Sequence, residues 1–297
     1  MRRHLAALFA CSLVAACGGG GGTTGSIGGG PPPPAATNLS LRFFGTGAGD
    51  IDRVKIPLLD PSSTPRPVNI GATDFTIEFW IKGDPTVNPT VPCTAGAIGN
   101  GSWVNGAVVV DRDVAGDGDL GKYGVALFNG QVAFGVSRSS GGQTLCGTQN
   151  VLDNNWHHVA LTRQALSGAM KIFVDGALDN ALTDPAANGD VSYNPAHPNP
   201  GPNDAFLVLG AEKYDLSPGH AFNGFIDELR LSTRLRYLAT FTPPATDFIV
   251  DTDTAALYHF DEPTGTTIVD AFNGASPGVL LPAATGAASN RSTDTPF

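Results

Sequence analysis

Charge is scarce in this sequence: only 15% of its 297 residues are Asp, Glu, Lys or Arg. No stretch sustains a 3.6-residue apolar period, so helical bundles and coiled coils are excluded. Basic residues are the scarcer kind, with 17 Lys and Arg against 27 Asp and Glu and a net charge of −10. An acidic surface repels phosphate backbones, so nucleic acid is not an expected partner, while divalent cations are compatible. Cysteine numbers only four. No apolar run reaches membrane-spanning length. A Gly-x-Ser-x-Gly elbow, a phosphate loop and a His-Glu-x-x-His helix are also missing. Glycine (38) and proline (23), by contrast, are plentiful. That balance points to many strands joined by tight turns.

The strands are legible one by one. Phe75, Ile77, Phe79 and Ile81 alternate with Thr76, Glu78, Trp80 and Lys82, the pattern of a half-buried strand. Residues 108–110 predict another. Residues 123–128 and 131–136 flank Asn129-Gly130, a pair suited to the positive φ angles of a type I′ hairpin. Further strands are predicted over 156–162, 170–174, 205–209, 225–231 and 256–260, with a turn at Asp175-Gly176. Residues 232–239 allow one short helical turn, and 184–203 form a long Pro- and Asn-rich loop. Strands of this kind close their sheets on each other, giving an all-β, two-sheet antiparallel jelly-roll sandwich.

The N-terminus reads as an address. Arg2 and Arg3 precede an apolar run over 5–16, too short to span a bilayer and suited to a signal peptide. It ends in Leu13-Val14-Ala15-Ala16-Cys17, which resembles the lipobox of bacterial lipoproteins. The resemblance implies a signal peptide over 1–16, acylation of Cys17, and a place in the cell envelope through the lipid anchor alone. Gly18 after the cysteine implies the outer membrane if the host is Gram-negative. Residues 17–37 form a Gly- and Pro-rich tether. Cys11 leaves with the signal and Cys17 takes lipid, so Cys93 and Cys146 remain, both in turn-rich segments. In an oxidising compartment such a pair favours a disulfide; two unpaired thiols are the alternative.

Four segments resemble laminin-G-like domains of the concanavalin A-like superfamily. They are Phe75-Thr76-Ile77-Glu78-Phe79-Trp80, Asn155-Trp156-His157-His158-Val159-Ala160, Lys171-Ile172-Phe173-Val174-Asp175-Gly176 and Phe225-Ile226-Asp227-Glu228-Leu229-Arg230-Leu231-Ser232. Their order matches the family and places the domain over 38–281, with a loose tail over 282–297. The resemblance implies a two-sheet jelly roll that binds carbohydrate, protein or matrix, commonly with calcium. One departure stands out. Leu257-Tyr258-His259-Phe260-Asp261-Glu262, followed by Gly265 and Asp270, is similar to the opening strand of many such domains but lies near the end. It closes the sandwich from the other terminus or begins a second, lost unit.

Residues 111–119 are the densest acidic stretch, with Asp111, Asp113, Asp117 and Asp119 set among glycines. Calcium takes hard oxygen ligands from such loops; a solvated hairpin is the plain alternative. In the related pentraxins two loops meet to bind calcium, and the resemblance places Glu212 as an acidic ligand, with Asp113 or Asp117 as its partner. Tyr214 and Asp215 would then offer a ring and a carboxylate to a sugar. Lys213 and Tyr214 depart from the pentraxin pattern of oxygen ligands.

The other polar clusters read more simply. His157 and His158 point to opposite faces of a strand, so they do not share an ion, and Trp156, His158 and Ala160 are assigned to the core. Asp227 and Glu228 also face opposite ways and do not form the facing pair of a glycosidase. Arg230, Arg234 and Arg236 read as a small basic surface patch. Taken together, the residues indicate no enzyme. They indicate a surface-tethered, calcium-assisted binding or adhesion module for carbohydrate or an envelope or matrix protein. A structural element of an envelope assembly is the alternative, and a glycan hydrolase a weaker one.

Overall fold

Alternation along the chain becomes strand pairing in space. A computed structural model describes residues 38–45, 51–88, 90–95, 102–114, 121–138, 141–196, 201–214, 221–283 and 290–297. Its strands begin with β1 (Ser40–Phe44), β2 (Arg53–Pro57), β3 (Phe75–Gly83), β4 (Ala107–Arg112), β5 (Lys122–Phe128), β6 (Gln131–Arg138), β7 (Gly141–Asn150) and β8 (His157–Arg163). They continue with β9 (Ala169–Val174), β10 (Ala177–Thr183), β11 (Phe206–Leu209), β12 (Asn223–Ser232), β13 (Thr254–Tyr258), β14 (Thr267–Ile268), β15 (Gly278–Leu281) and β16 (Arg291–Ser292). One sheet runs β10-β9-β8-β3-β12-β1-β16, and the other β14-β15-β2-β11-β4-β5-β6-β7. All their pairings are antiparallel. This is the two-sheet sandwich that the alternation predicts.

The main core lies between the sheets. Phe75, Ile77, Phe79 and Ile81 of β3 meet Val109, Val125, Leu127, Phe134 and Leu207 from the facing sheet. Each such side chain contributes roughly 1.5–3 kcal/mol on full burial. The β5–β6 hairpin turns at Asn129 (φ 49°) and Gly130 (φ 79°), as its sequence predicts.

Parts of both outer faces are also covered. Over the β4–β7 sheet, Trp103 packs with Val108, Ala126, Phe128 and Ala133. Gly124 and Gly135 make room for it, since a Cβ at Gly135 would stand 1.8 Å from the indole. Cys93 packs on this cluster and is bonded to Cys146, with Cα atoms 6.0 Å apart. The disulfide expected from the cysteine count is therefore formed.

Over the other sheet, residues 233–254 cross as a strap. Tyr237 and Phe241 stack at 3.5 Å, and with Phe248 they surround the buried His158 ring. Beneath them Glu78 is wholly buried, 2.9 Å from Arg230 and 2.6 Å from the Tyr237 hydroxyl. Burial works to raise the Glu78 carboxyl, but its contacts with His158, Arg230 and Tyr237 outweigh that and hold it below the usual range.

Three expectations are corrected here. The face of His158 and Ala160 is buried under the strap and not in the main core, because Val159 and Leu161 take the inter-sheet side. Residues 232–239 form no helix, since their polar groups bind β3: the Thr76 hydroxyl donates to the Arg234 carbonyl and accepts from the Arg236 amide. The arginines are not a surface patch, for Arg230 and Arg236 pack on Glu78 and only Arg234 is largely exposed.

The C-terminus departs from expectation as well. β13 pairs with the C-terminal half of β12, and Tyr258 and Phe260 enter the main core. The misplaced opening strand thus closes the sandwich. Asp270 accepts from the amides of Leu257, Phe272 and Ser276, fixing the turn that follows. Residues 290–297 are not a loose tail. β16 pairs with β1, Asp294 accepts from Lys82 and the Trp156 indole, and Phe297 packs edge-on to Trp80 at 5.9 Å. The Phe297 carbonyl accepts from the Asn38 amide at 3.2 Å, so the two ends of the domain touch.

Candidate ligand-binding site

Three strands end in arginine at one rim of the sandwich: β4 at Arg112, β6 at Arg138 and β8 at Arg163. Each reaches out to loop carbonyls. Arg112 Nη2 donates to Gly121 and Val191 at 2.6 and 2.8 Å. Arg138 Nη1 donates to the Asn188 carbonyl at 3.0 Å. Arg163 donates to Ala187, Gly189, Gly71 and Thr73. Arg112 and Arg163 are fully buried. A guanidinium fork suits this task because its donors are fixed in one plane. The Asn69 side chain adds a two-way clamp, donating to the Tyr193 carbonyl at 3.0 Å and accepting its amide at 2.8 Å.

These contacts hold the segment 187–193 as one wall of a cleft of about 580 Å³. Its lining includes Asn69, Arg138, Asp190, Ser192, Tyr193 and Asn194. Asp190 shapes the wall by accepting the Ser192 amide and hydroxyl at 2.8 and 2.7 Å. Gly121 packs against this wall with φ 60°, and a Cβ there would stand 2.6 Å from the Val191 backbone. The volume lies within the range of small-molecule sites, and the lining offers both donors and acceptors.

Of the acidic residues singled out by sequence, Asp111 and Asp113 adjoin Arg112, which braces the cleft wall. Asp117, Asp119 and Asp215 lie outside the described residues, as do Cys17 and the tether. Asp111 is wholly buried; its oxygens accept the amides of Asp113 and Lys213 at 2.6 and 2.9 Å. Asp113 is paired with Lys122 at 3.1 Å. Glu212 accepts the Tyr214 amide at 2.8 Å, and the Tyr214 hydroxyl donates to Asp204. Lys213 is itself buried, with Nζ 3.0 Å from the Phe206 carbonyl. Burial raises the Asp111 carboxyl and lowers the Lys213 ammonium, and their mutual attraction offsets part of each shift.

Calcium requires six to eight oxygens converging at about 2.3–2.6 Å. Among the described residues no three His, Cys, Asp or Glu side chains converge in this way. Of the residues expected there, Asp111 accepts two amides, Asp113 faces the Lys122 ammonium and Glu212 accepts the Tyr214 amide.

Sequence reasoning missed the arginines and the 187–193 wall. The signal was present, in that arginine recurs where a predicted strand stops. The remaining candidates have structural places. His157 bridges Asp175 and Asp153 at 2.8 and 3.0 Å. Glu228, at φ 52° in a bulge, accepts from the Phe248 amide and contacts His259 at 2.6 Å. Asp227 Oδ1 accepts the Glu228 amide, so this pair lines no cleft as facing acid and base.

Two antiparallel sheets packed face to face define a jelly-roll sandwich domain. The chain belongs to the concanavalin A-like lectin/glucanases superfamily, its residues 60–239 matching the Laminin_G_3 family. A curated relative is the rat Sushi, von Willebrand factor type A, EGF and pentraxin domain-containing protein 1, 26% identical over 161 residues. That match covers 53% of this chain but 4% of the relative's length. Among solved structures, a candidate carbohydrate binding protein from Bacteroides ovatus is similar with a TM-score of 0.45 and 18% identity, over 83% of this chain and 59% of that one. Domains LG4-5 of the mouse laminin alpha1 chain give 0.41 and 14%, over 66% and 42%.

Proposed function

We propose that this chain is a non-catalytic binding module that takes a carbohydrate in the rim cleft and is held at the cell envelope by lipid on Cys17. The arginine-braced cleft carries the reading. Asn69, Arg138, Asp190, Ser192 and Asn194 present donors and acceptors side by side, as sugar hydroxyls require. Family membership agrees with a binding role without naming a ligand. A glycan array followed by calorimetric titration of the best sugar tests it. Asp190→Ala, which unties the Ser192 turn, is expected to weaken binding about 10-fold or more, a cost of about 1.4 kcal/mol. Its melting temperature should stay close to that of the parent. Binding that Asp190→Ala leaves intact would move the site elsewhere.

The anchor has its own test. Cys17→Ser is expected to shift the protein from the membrane to the soluble fraction. An intact mass without acyl chains in envelope-purified protein would remove the anchor.

A further inference from the structure

Behind the cleft wall, four carboxylates and three cationic side chains share a small space. The carboxylates are Asp111, Asp113, Asp204 and Glu212; the cations are Arg112, Lys122 and Lys213. Lys213 is the deepest of the ammonium groups, at 1% exposure. It follows β11 and curls back, so that Nζ lies 3.0 Å from the Phe206 carbonyl and 3.4 Å from that of Asp204. Its own amide donates to Asp111 at 2.9 Å, and its carbonyl accepts from Asn203 at 2.7 Å. The residue is thus fixed by both its main chain and its side chain.

We propose that the Lys213 ammonium is a built-in counter-ion, standing where acidic loops of this kind would gather a divalent cation, and that Asp111 and Glu212 hold no calcium in this protein. The charge balance supports it. The Lys213 main chain is held against the buried Asp111 by its amide, the attraction of Asp111 offsets part of the cost of burying its ammonium, and Lys122 meets Asp113 at 3.1 Å. A divalent ion in the same space would have to displace a covalently tethered cation and break the amide contacts to Asp111 and Glu212. Burying a second, unpaired positive charge is strongly unfavourable. This inference stands whether or not the cleft takes a sugar.

Calcium titration of the whole chain and four variants tests it. The parent protein should melt within about 1 °C of the same temperature in millimolar calcium and in chelator, a shift of well under a tenfold change in the folding equilibrium. Lys213→Met should lower the melting temperature by many degrees, because Asp111 is left buried without its cation. Asp111→Asn in that background should recover much of the loss, since both charges are then gone. If Lys213→Met alone fails to fold, rescue by the second substitution supplies the same readout. A calcium-induced rise in the parent that Asp111→Asn or Glu212→Gln abolishes would overturn the proposal. So would a double variant no more stable than Lys213→Met.

Discussion

At the scale of single residues, Asp227 is a costly group to bury. It is almost wholly buried, Oδ1 accepts the Glu228 amide, and Oδ2 has no hydrogen-bond partner. Burial first, then the neighbouring Glu228 charge, pushes its carboxyl up to about 9. The unfolded chain releases that proton near 3.8, so between these values the native state holds the extra proton. Stability attributable to Asp227 must therefore fall as pH rises across this window. Asp227→Asn keeps an oxygen for the Glu228 amide and removes the titration. Melting curves from pH 5 to 9 should show the variant gaining on the parent as pH rises. Parallel curves would mean that Asp227 finds a partner or ionises freely. Glu78 has the opposite sign, because its contacts favour the carboxylate; its contribution is present above its ordinary value of 4.5 and is lost as pH falls through its lowered one.

At the scale of elements, residues 290–297 act as a clasp on the outer face. β16 adds a short strand beside β1, and Asp294 joins Lys82 of β3 to Trp156 at the start of β8. Deleting these eight residues should lower stability by about 2–4 kcal/mol, from the lost hydrogen bonds and the apolar contact of Phe297. It should also shift tryptophan emission to the red as Trp80 and Trp156 meet water. A denaturation midpoint and spectrum matching the parent would show that the clasp is dispensable. This segment also marks where sequence reading stopped. β3, β5, β6, β8, β9 and β12 were legible because each alternates over five or more residues against a buried face. β14 and β16 are two residues long, and a two-residue strand has no period to read. β10 was hidden because it is mostly exposed at an edge, where Asp179 caps the amides of Thr148 and Gln149. The strap is hidden behind a possible helical turn at 232–239 and a basic patch because its partners, Thr76, Glu78 and His158, lie more than seventy residues away in sequence.

At the scale of the whole molecule, coverings on the outer faces of the two sheets favour the rim for the proposed binding. One outer face carries Trp103 and its cluster, the other the strap and the clasp. What stays open lies at the loops, where arginines at three strand ends set the wall of the cleft. The cleft was less legible than the sheets because its parts come from residues 65–72, 121, 138 and 190–195, which no local pattern joins.

The contact between Asn38 and Phe297 has a consequence for engineering. A domain whose first and last described residues meet is a ring in all but one bond, and the opening can be moved. The 264–265 bond is a suitable place, since Thr264 and Gly265 are exposed and a Cβ at Gly265 would meet nothing within 4 Å. A circular permutant beginning at Gly265, with a short glycine linker from Phe297 to Asn38, should fold with the Cys93–Cys146 bond intact and melt within several degrees of the parent. The linker would then fasten the clasp covalently, and the proposed lipid anchor could be replaced by one attached at the new terminus, beside Pro263 and Thr264. Failure of the permutant to form the disulfide on non-reducing peptide mapping would show that the order of the strands along the chain, and not only their meeting in space, is needed for folding.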